Sequence, residues 1–179
     1  MLKVGINGFG RIGRAILRNI LSFDDIDLCV INDINPEPEN LAYLLKYDSY
    51  YGRLKNNISI NKNELSIDKK RVKIFNKDNI KDVPWMDYNC DLVIESSGKH
   101  SLLDELPILI ENGVKKVIVT YSPNDKVDGH FVLGANEENF NKNTHHIISS
   151  SICDVVALAP VYKIINENFN VLNGFLTTL

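Results

Sequence analysis

Residues 2–13 read Leu-Lys-Val-Gly-Ile-Asn-Gly-Phe-Gly-Arg-Ile-Gly, and this stretch decides the fold. Residues 2–6 are a short apolar run that ends at Asn7 and Gly8, the pattern of a buried strand entering a turn. Residues 11–22 place Ile12, Ala15, Ile16, Ile20 and Leu21 at helical spacing, so a helix follows. Gly8, Gly10 and Gly13 then form G-x-G-x-x-G between strand and helix, the context in which that pattern binds a dinucleotide. The three glycines differ in what they permit. Gly8 allows the tight turn, Gly10 lets backbone approach a pyrophosphate, and Gly13 allows helix to pack closely on strand. The helix start adds free N–H groups and a partial positive charge.

A second apolar run, 26–32, ends at Asp33, twenty residues after Gly13. A carboxylate there accepts hydrogen bonds from the ribose hydroxyls and repels a 2′-phosphate, so the expected cofactor is NAD, not NADP.

Further along, 38–46 has helical spacing with proline at its start, where proline is tolerated. Short alternating runs in 55–75 predict small antiparallel strands inserted in the wound domain. Residues 91–98 predict a strand leading into a polar turn, 102–112 a helix despite Pro107, and 114–122 another strand. Residues 130–136, 145–151 and 171–179 read as strands, and 152–169 as a helix containing one proline. Alternating strands and helices predict an α/β, Rossmann doubly wound, mostly parallel sheet.

The 179 residues carry 44% apolar and 24% charged side chains with net charge −3, the balance of a globular protein. No basic excess argues for nucleic acid and no polybasic face for a membrane surface. Apolar runs fall well short of the ~20 residues of a membrane-spanning helix. Glycines and arginines stand where a signal peptide needs an apolar segment, so a cytoplasmic protein is expected. Cys29, Cys90 and Cys153 are odd in number and widely spaced, which predicts neither a disulfide framework nor a metal site. Cys29 and Cys90 lie in or beside apolar runs and read as buried packing.

Residues 7–14 (NGFGRIGR), Ile31-Asn32-Asp33, 44–53 (LLKYDSYYGR), 95–98 (ESSG), FVLGAN at 131–136 and the IISSSIC…LAP run together resemble the N-terminal half of glyceraldehyde-3-phosphate dehydrogenases. The sister erythrose-4-phosphate dehydrogenases look equally similar. The resemblance implies that Asn7, Gly8, Gly10 and Gly13 form the cofactor turn. Arg11 and Ile12 would cradle the pyrophosphate through backbone N–H groups and Asp33 would hold the ribose. Lys77 would lie near the adenine, and Ser96, Ser97 and Gly98 would border the cofactor's second half. Thr120 stands where the family has a serine near the nicotinamide.

The resemblance also implies that Cys153 is the catalytic thiol, adding to an aldehyde substrate to give a thiohemiacetal and, after hydride transfer, a thioester. Ser149, Ser150 and Ser151 are good capping candidates ahead of it, and a cysteine at a helix start is expected to have a lowered pKa. The family's hydroxyls beside the cysteine are replaced here by Ile152, Asp154 and Val155. A carboxylate at that place repels inorganic phosphate and disfavours the thiolate, so weakened phosphorolysis is expected.

The family's catalytic histidine falls one position past Leu179 by this register. The expected organisation is therefore an NAD-binding domain at 1–152, with 153–179 as the nucleophile helix and first strand of a truncated catalytic domain. The chain would be inactive or nearly so alone, and would associate as a homo-oligomer or with a missing C-terminal half. His100, His130, His145 and His146 read as solvated or structural. The reading from a different class is a non-catalytic dinucleotide-binding module.

Overall fold

The structure is a computed structural model describing residues 1–123 and 126–178. It starts with β1 (Leu2–Asn7), the turn at 8–10 and α1 (Arg11–Ile20), followed by β2 (Ile26–Asn32) and α2 (Pro38–Lys46). A small hairpin of β3 (Tyr47–Asp48) and β4 (Gly52–Arg53) precedes three strands, β5 (Ile58–Asn61), β6 (Glu64–Ile67) and β7 (Lys70–Phe75). Next come β8 (Leu92–Glu95), α3 (Leu106–Glu111), β9 (Lys116–Val119), β10 (Gly129–His130), β11 (Ile147–Ser149) and α4 (Cys153–Phe169).

Among the described residues the main sheet has the order β10-β11-β9-β8-β1-β2-β7-β6-β5. From β10 to β7 every neighbouring pair is parallel, and β7-β6-β5 is antiparallel. The expected α/β sheet with antiparallel insertions is therefore the observed one, with the insertion joined to the main sheet through β7. The chain runs outward from β1 through β2 to β7, then returns to β8 on the other side of β1. That reversal opens a crevice at the carboxyl ends of β1 and β8.

A parallel sheet needs apolar cover on both faces. One core holds Val4, Ile6 and Ile31 against Leu17 of α1 and Leu41 and Leu45 of α2. The second holds Val30, Val93, Val117 and Val119 with Trp85 and with Leu106 and Leu109 of α3. Leu17 is 1% exposed, and truncating such a side chain to alanine costs about 2–5 kcal/mol.

Three expected elements differ. The helix expected over 102–112 is split into a 3₁₀ stretch at His100–Glu105 and the shorter α3. Pro107 lacks an N–H and sits in the first turn of α3, where none is needed. The strand expected at 130–136 ends at His130. Beyond it the Asn136 side chain accepts from the Val132 N–H at 2.8 Å and donates to the His130 carbonyl at 2.9 Å, with Gly134 at φ +81°, so the segment closes as a turn. Residues 171–178, expected as strand, have no regular structure. A strand needs a neighbouring backbone to bond, and none of the described residues pairs with these. Residue 179, the last of that expected strand, lies outside the described residues.

Candidate NAD cleft and thiol

The turn after β1 is shaped by two glycines and left open at a third. Gly8 has φ +86°, and a Cβ there would lie 2.5 Å from the Ser97 backbone. At Gly13 a Cβ would lie 2.2 Å from the Gly8 carbonyl oxygen. Both positions are closed to side chains by the protein itself. Gly10 is different: a Cβ there meets nothing within 4 Å. Space over Gly10 is free for a ligand. Gly10 is also the N-cap of α1 and offers no side-chain cap, so the first-turn amides of Arg11 and Ile12 have no intrahelical carbonyl to bond.

Asp33 follows the end of β2 and faces this turn. Its Oδ2 accepts the Phe9 N–H at 2.6 Å and its Oδ1 accepts the Asn35 N–H at 2.8 Å. Each carboxylate oxygen keeps one lone pair for a further donor, which is what a pair of ribose hydroxyls requires.

Below the turn runs a buried polar chain across the strand ends. Asn7 Nδ2 donates to Glu95 Oε2, and Asn7 Oδ1 accepts from Asn32 Nδ2 at 2.7 Å. Asn32 also brackets Lys77, donating to its carbonyl at 3.0 Å and accepting its N–H at 2.9 Å. Glu95 takes the Ser97 N–H at 2.8 Å and the Ser97 hydroxyl on Oε1. Burial raises the Glu95 carboxyl above the ordinary range, although the Ser97 and Asn7 donors oppose that shift. Ser96 Oγ donates to the Gly8 carbonyl at 2.7 Å and fixes the turn from the other side.

These groups surround a cleft of about 200 Å³. Of the predicted residues, Asn7, Gly8, Gly10, Asp33, Lys77, Ser96 and Ser97 line it. Arg11 and Ile12 stand beside it at the exposed start of α1, and Gly13 lies beneath it. Gly98, at φ +70°, forms the turn after β8. Thr120 directly follows β9 and does not line the cleft; its N–H donates to the Glu95 carbonyl at 3.0 Å. Asn32, Ile34, Asp78, Lys99 and Leu102 also line the cleft. Asn32 carried a signal in the sequence, a polar residue closing an apolar strand run beside Asp33; Ile34, Asp78, Lys99 and Leu102 carried none.

Cys153 is the exposed first residue of α4. Its Sγ donates to Asp154 Oδ1 at 2.8 Å. That hydrogen bond, with the adjacent negative charge, pushes the thiol above its ordinary value. The lowered pKa expected for a helix-start cysteine is thereby corrected: the carboxylate on the next residue outweighs the helix end. The serine caps are corrected too. Ile152 is the N-cap without a side-chain bond. Ser149 Oγ instead donates to the Tyr121 carbonyl at 2.6 Å and accepts the Ser151 N–H at 2.9 Å. His145 is held structurally, its Nδ1 accepting the Asn141 N–H at 3.0 Å and its ring against Phe131.

A doubly wound sheet reversing at β1, a glycine turn open at Gly10 and an acid at the end of β2 define a dinucleotide-binding Rossmann domain. Residues 2–102 match the family described as glyceraldehyde 3-phosphate dehydrogenase, NAD binding domain. A glyceraldehyde-3-phosphate dehydrogenase 2 of Trichormus variabilis is 39% identical over 99% of this chain and 53% of that protein. A glyceraldehyde-3-phosphate dehydrogenase 1 of Bacillus cereus is 36% identical over 100% of the chain and 53% of that protein. A chloroplastic relative in Arabidopsis thaliana is 40% identical over 99% of the chain and 42% of that protein. The chain belongs to the glyceraldehyde-3-phosphate dehydrogenase family; it corresponds to the NAD-binding N-terminal half, and NAD is its cofactor. It spans about half the length of the relatives it matches. No helix among the described residues is long and apolar enough to cross a membrane.

Proposed function

We propose that this chain supplies the coenzyme site and the nucleophile of an NAD-dependent aldehyde dehydrogenase whose substrate is a small sugar phosphate. The observation that carries the reading is the contrast between Gly10, open above, and Gly8 and Gly13, filled by the protein. Gly10 and the amides of Arg11 and Ile12 would hold the diphosphate. Asp33 would hold the adenosine ribose, Lys77 would flank the adenine, and Ser96, Ser97, Gly98 and Thr120 would border the nicotinamide half. NAD, when bound, accepts the hydride released as the aldehyde is oxidised.

Cys153 is the catalytic residue in this reading. Its thiolate adds to the aldehyde carbon, the resulting thiohemiacetal is oxidised to a thioester, and an acceptor then releases the acid. Asp154, hydrogen-bonded to the thiol, opposes an incoming phosphate, so water or another acceptor completes the reaction more readily than in relatives with hydroxyls there. The base and the remaining substrate contacts are supplied within a homo-oligomer or by a C-terminal half. The exposed apolar side chains of α4, among them Val155, Val156, Val161 and Ile164, are the surface such a body covers. Residues 1–152 act as the coenzyme domain and 153–179 as the start of the catalytic one, in the cytoplasm.

Calorimetric titration with NAD and NADP tests the coenzyme reading: NAD binds and NADP binds at least tenfold more weakly, whereas equal affinities overturn it. The carboxylate of Asp154, bonded to the Cys153 thiol, favours one second reading, a non-catalytic dinucleotide-binding module. Alkylation separates them. Cys153 reacting faster at pH 7 than the thiol of an unstructured peptide spanning residues 149–157 supports the nucleophile, and an equal or slower rate supports the module.

A further inference from the structure

Cys29 and Cys90 are 61 positions apart, yet their sulfurs lie 3.2 Å from each other. Two features of the backbone bring them together. Val4 pairs with Leu28 and Gly5 with Val30, so Cys29 is the extra residue of a β-bulge in β2. A bulge turns its side chain away from the regular alternation. Cys90 precedes β8, on the far side of β1, and reaches over Gly5, whose absent side chain leaves the room: a Cβ there would lie 3.4 Å from the Cys90 sulfur and 2.6 Å from the Trp85 ring. The sequence reading of both cysteines as inert packing describes their burial and misses the pairing.

We infer that Cys29 and Cys90 form a reversible redox site, a dithiol that a peroxide or a small disulfide oxidises to an intramolecular cystine beneath the coenzyme sheet. The two sulfurs are unequal. Cys29 is half-buried and Cys90 fully buried. The hydrogen bond between them holds the Cys29 thiol below its ordinary value and pushes the Cys90 thiol up. Cys29, the more accessible of the two, is the attacking sulfur and Cys90 the resolving one. The Cys29 thiolate attacks one peroxide oxygen; an S–O bond forms, the O–O bond breaks and hydroxide leaves. The Cys90 sulfur then attacks the sulfenyl sulfur; the S–S bond forms, the S–O bond breaks, and the oxygen departs as water with the Cys90 proton. In total two thiols lose two electrons, and one peroxide becomes two waters. A disulfide has a sulfur separation of about 2.05 Å, so closure from the observed contact needs a movement of roughly 1 Å.

The test is peptide mapping of the full chain after treatment with hydrogen peroxide and alkylation without reductant. Trypsin leaves Cys29 in residues 19–46, Cys90 in 82–99 and Cys153 in 143–163. The expected product joins the first two peptides within one chain, about 2 Da lighter than the separate thiol peptides and restored by dithiothreitol. In Cys90→Ala, which cannot resolve, dimedone labels Cys29; in Cys29→Ala, Cys90 stays unlabelled. The proposal is overturned if both cysteines remain alkylatable once the oxidised wild-type chain is unfolded. It is equally overturned if the disulfide formed contains Cys153 or joins two chains.

Discussion

The carboxylate of Asp33 accepts the backbone N–H of Phe9 at 2.6 Å, so the acid at the end of β2 and the glycine turn after β1 are one unit. Asp33 sets the position of the turn as well as offering oxygens to a ribose. Asp33→Ala is therefore expected to lower NAD affinity by about 10–100-fold and to destabilise the fold by about 1–2 kcal/mol, because the Phe9 and Asn35 amides lose a charged acceptor. Calorimetry and urea unfolding of the same sample measure the two effects. An unchanged dissociation constant would remove Asp33 from the site.

The glycines separate folding from binding. Gly8→Ala forces a Cβ against the Ser97 backbone at positive φ, and a loss of about 2 kcal/mol or more is expected. Gly10→Ala meets no protein atom; its stability stays within about 0.5 kcal/mol while NAD affinity falls tenfold or more. Thermal melts paired with NAD titrations distinguish the two variants. A Gly10→Ala protein that binds NAD normally would contradict the reading.

Asp154 controls the Cys153 thiol. Removing its charge in Asp154→Asn removes both the hydrogen-bonded carboxylate and the repulsion that raise the thiol pKa. The pH profile of Cys153 alkylation is expected to move to lower pH, with the rate at pH 7 rising about 3–10-fold. A profile that stays in place would mean that another group sets the thiol.

Glu95 gives the fold a pH dependence. Its folded pKa is raised by burial above the unfolded value. Its favourable contribution is therefore complete below the ordinary glutamate range and fades as pH climbs through the folded value. Urea midpoints are expected to increase as pH falls from 7.5 to about 5, and Glu95→Gln is expected to flatten that slope. Equal slopes in the two proteins would place the proton elsewhere.

Much of this architecture was readable in the sequence because its determinants are local. The run before Gly8, the helical spacing after Gly10 and the apolar strand ending at Asp33 each specify an element and its place in a β-α-β unit. The misreadings arise where non-local partners decide. Residues 171–178 have strand composition but no paired backbone, and 131–136 have it but are closed by the Asn136 side chain. Among the cleft residues, Asn7 and Asp33 follow from their positions at strand ends. The Glu95-Asn7-Asn32-Lys77 chain does not, because it joins side chains from three strands to the backbone of a loop residue. The approach of Cys29 to Cys90 depends on a bulge and a missing Cβ at Gly5, neither visible in periodicity.

The most direct measurement is a crystal structure of the chain grown with NAD. The diphosphate should lie above Gly10 against the amides of Arg11 and Ile12, with both adenosine ribose hydroxyls on the Asp33 carboxylate. Coenzyme density in any other part of the molecule, or a ribose turned away from Asp33, would contradict the account.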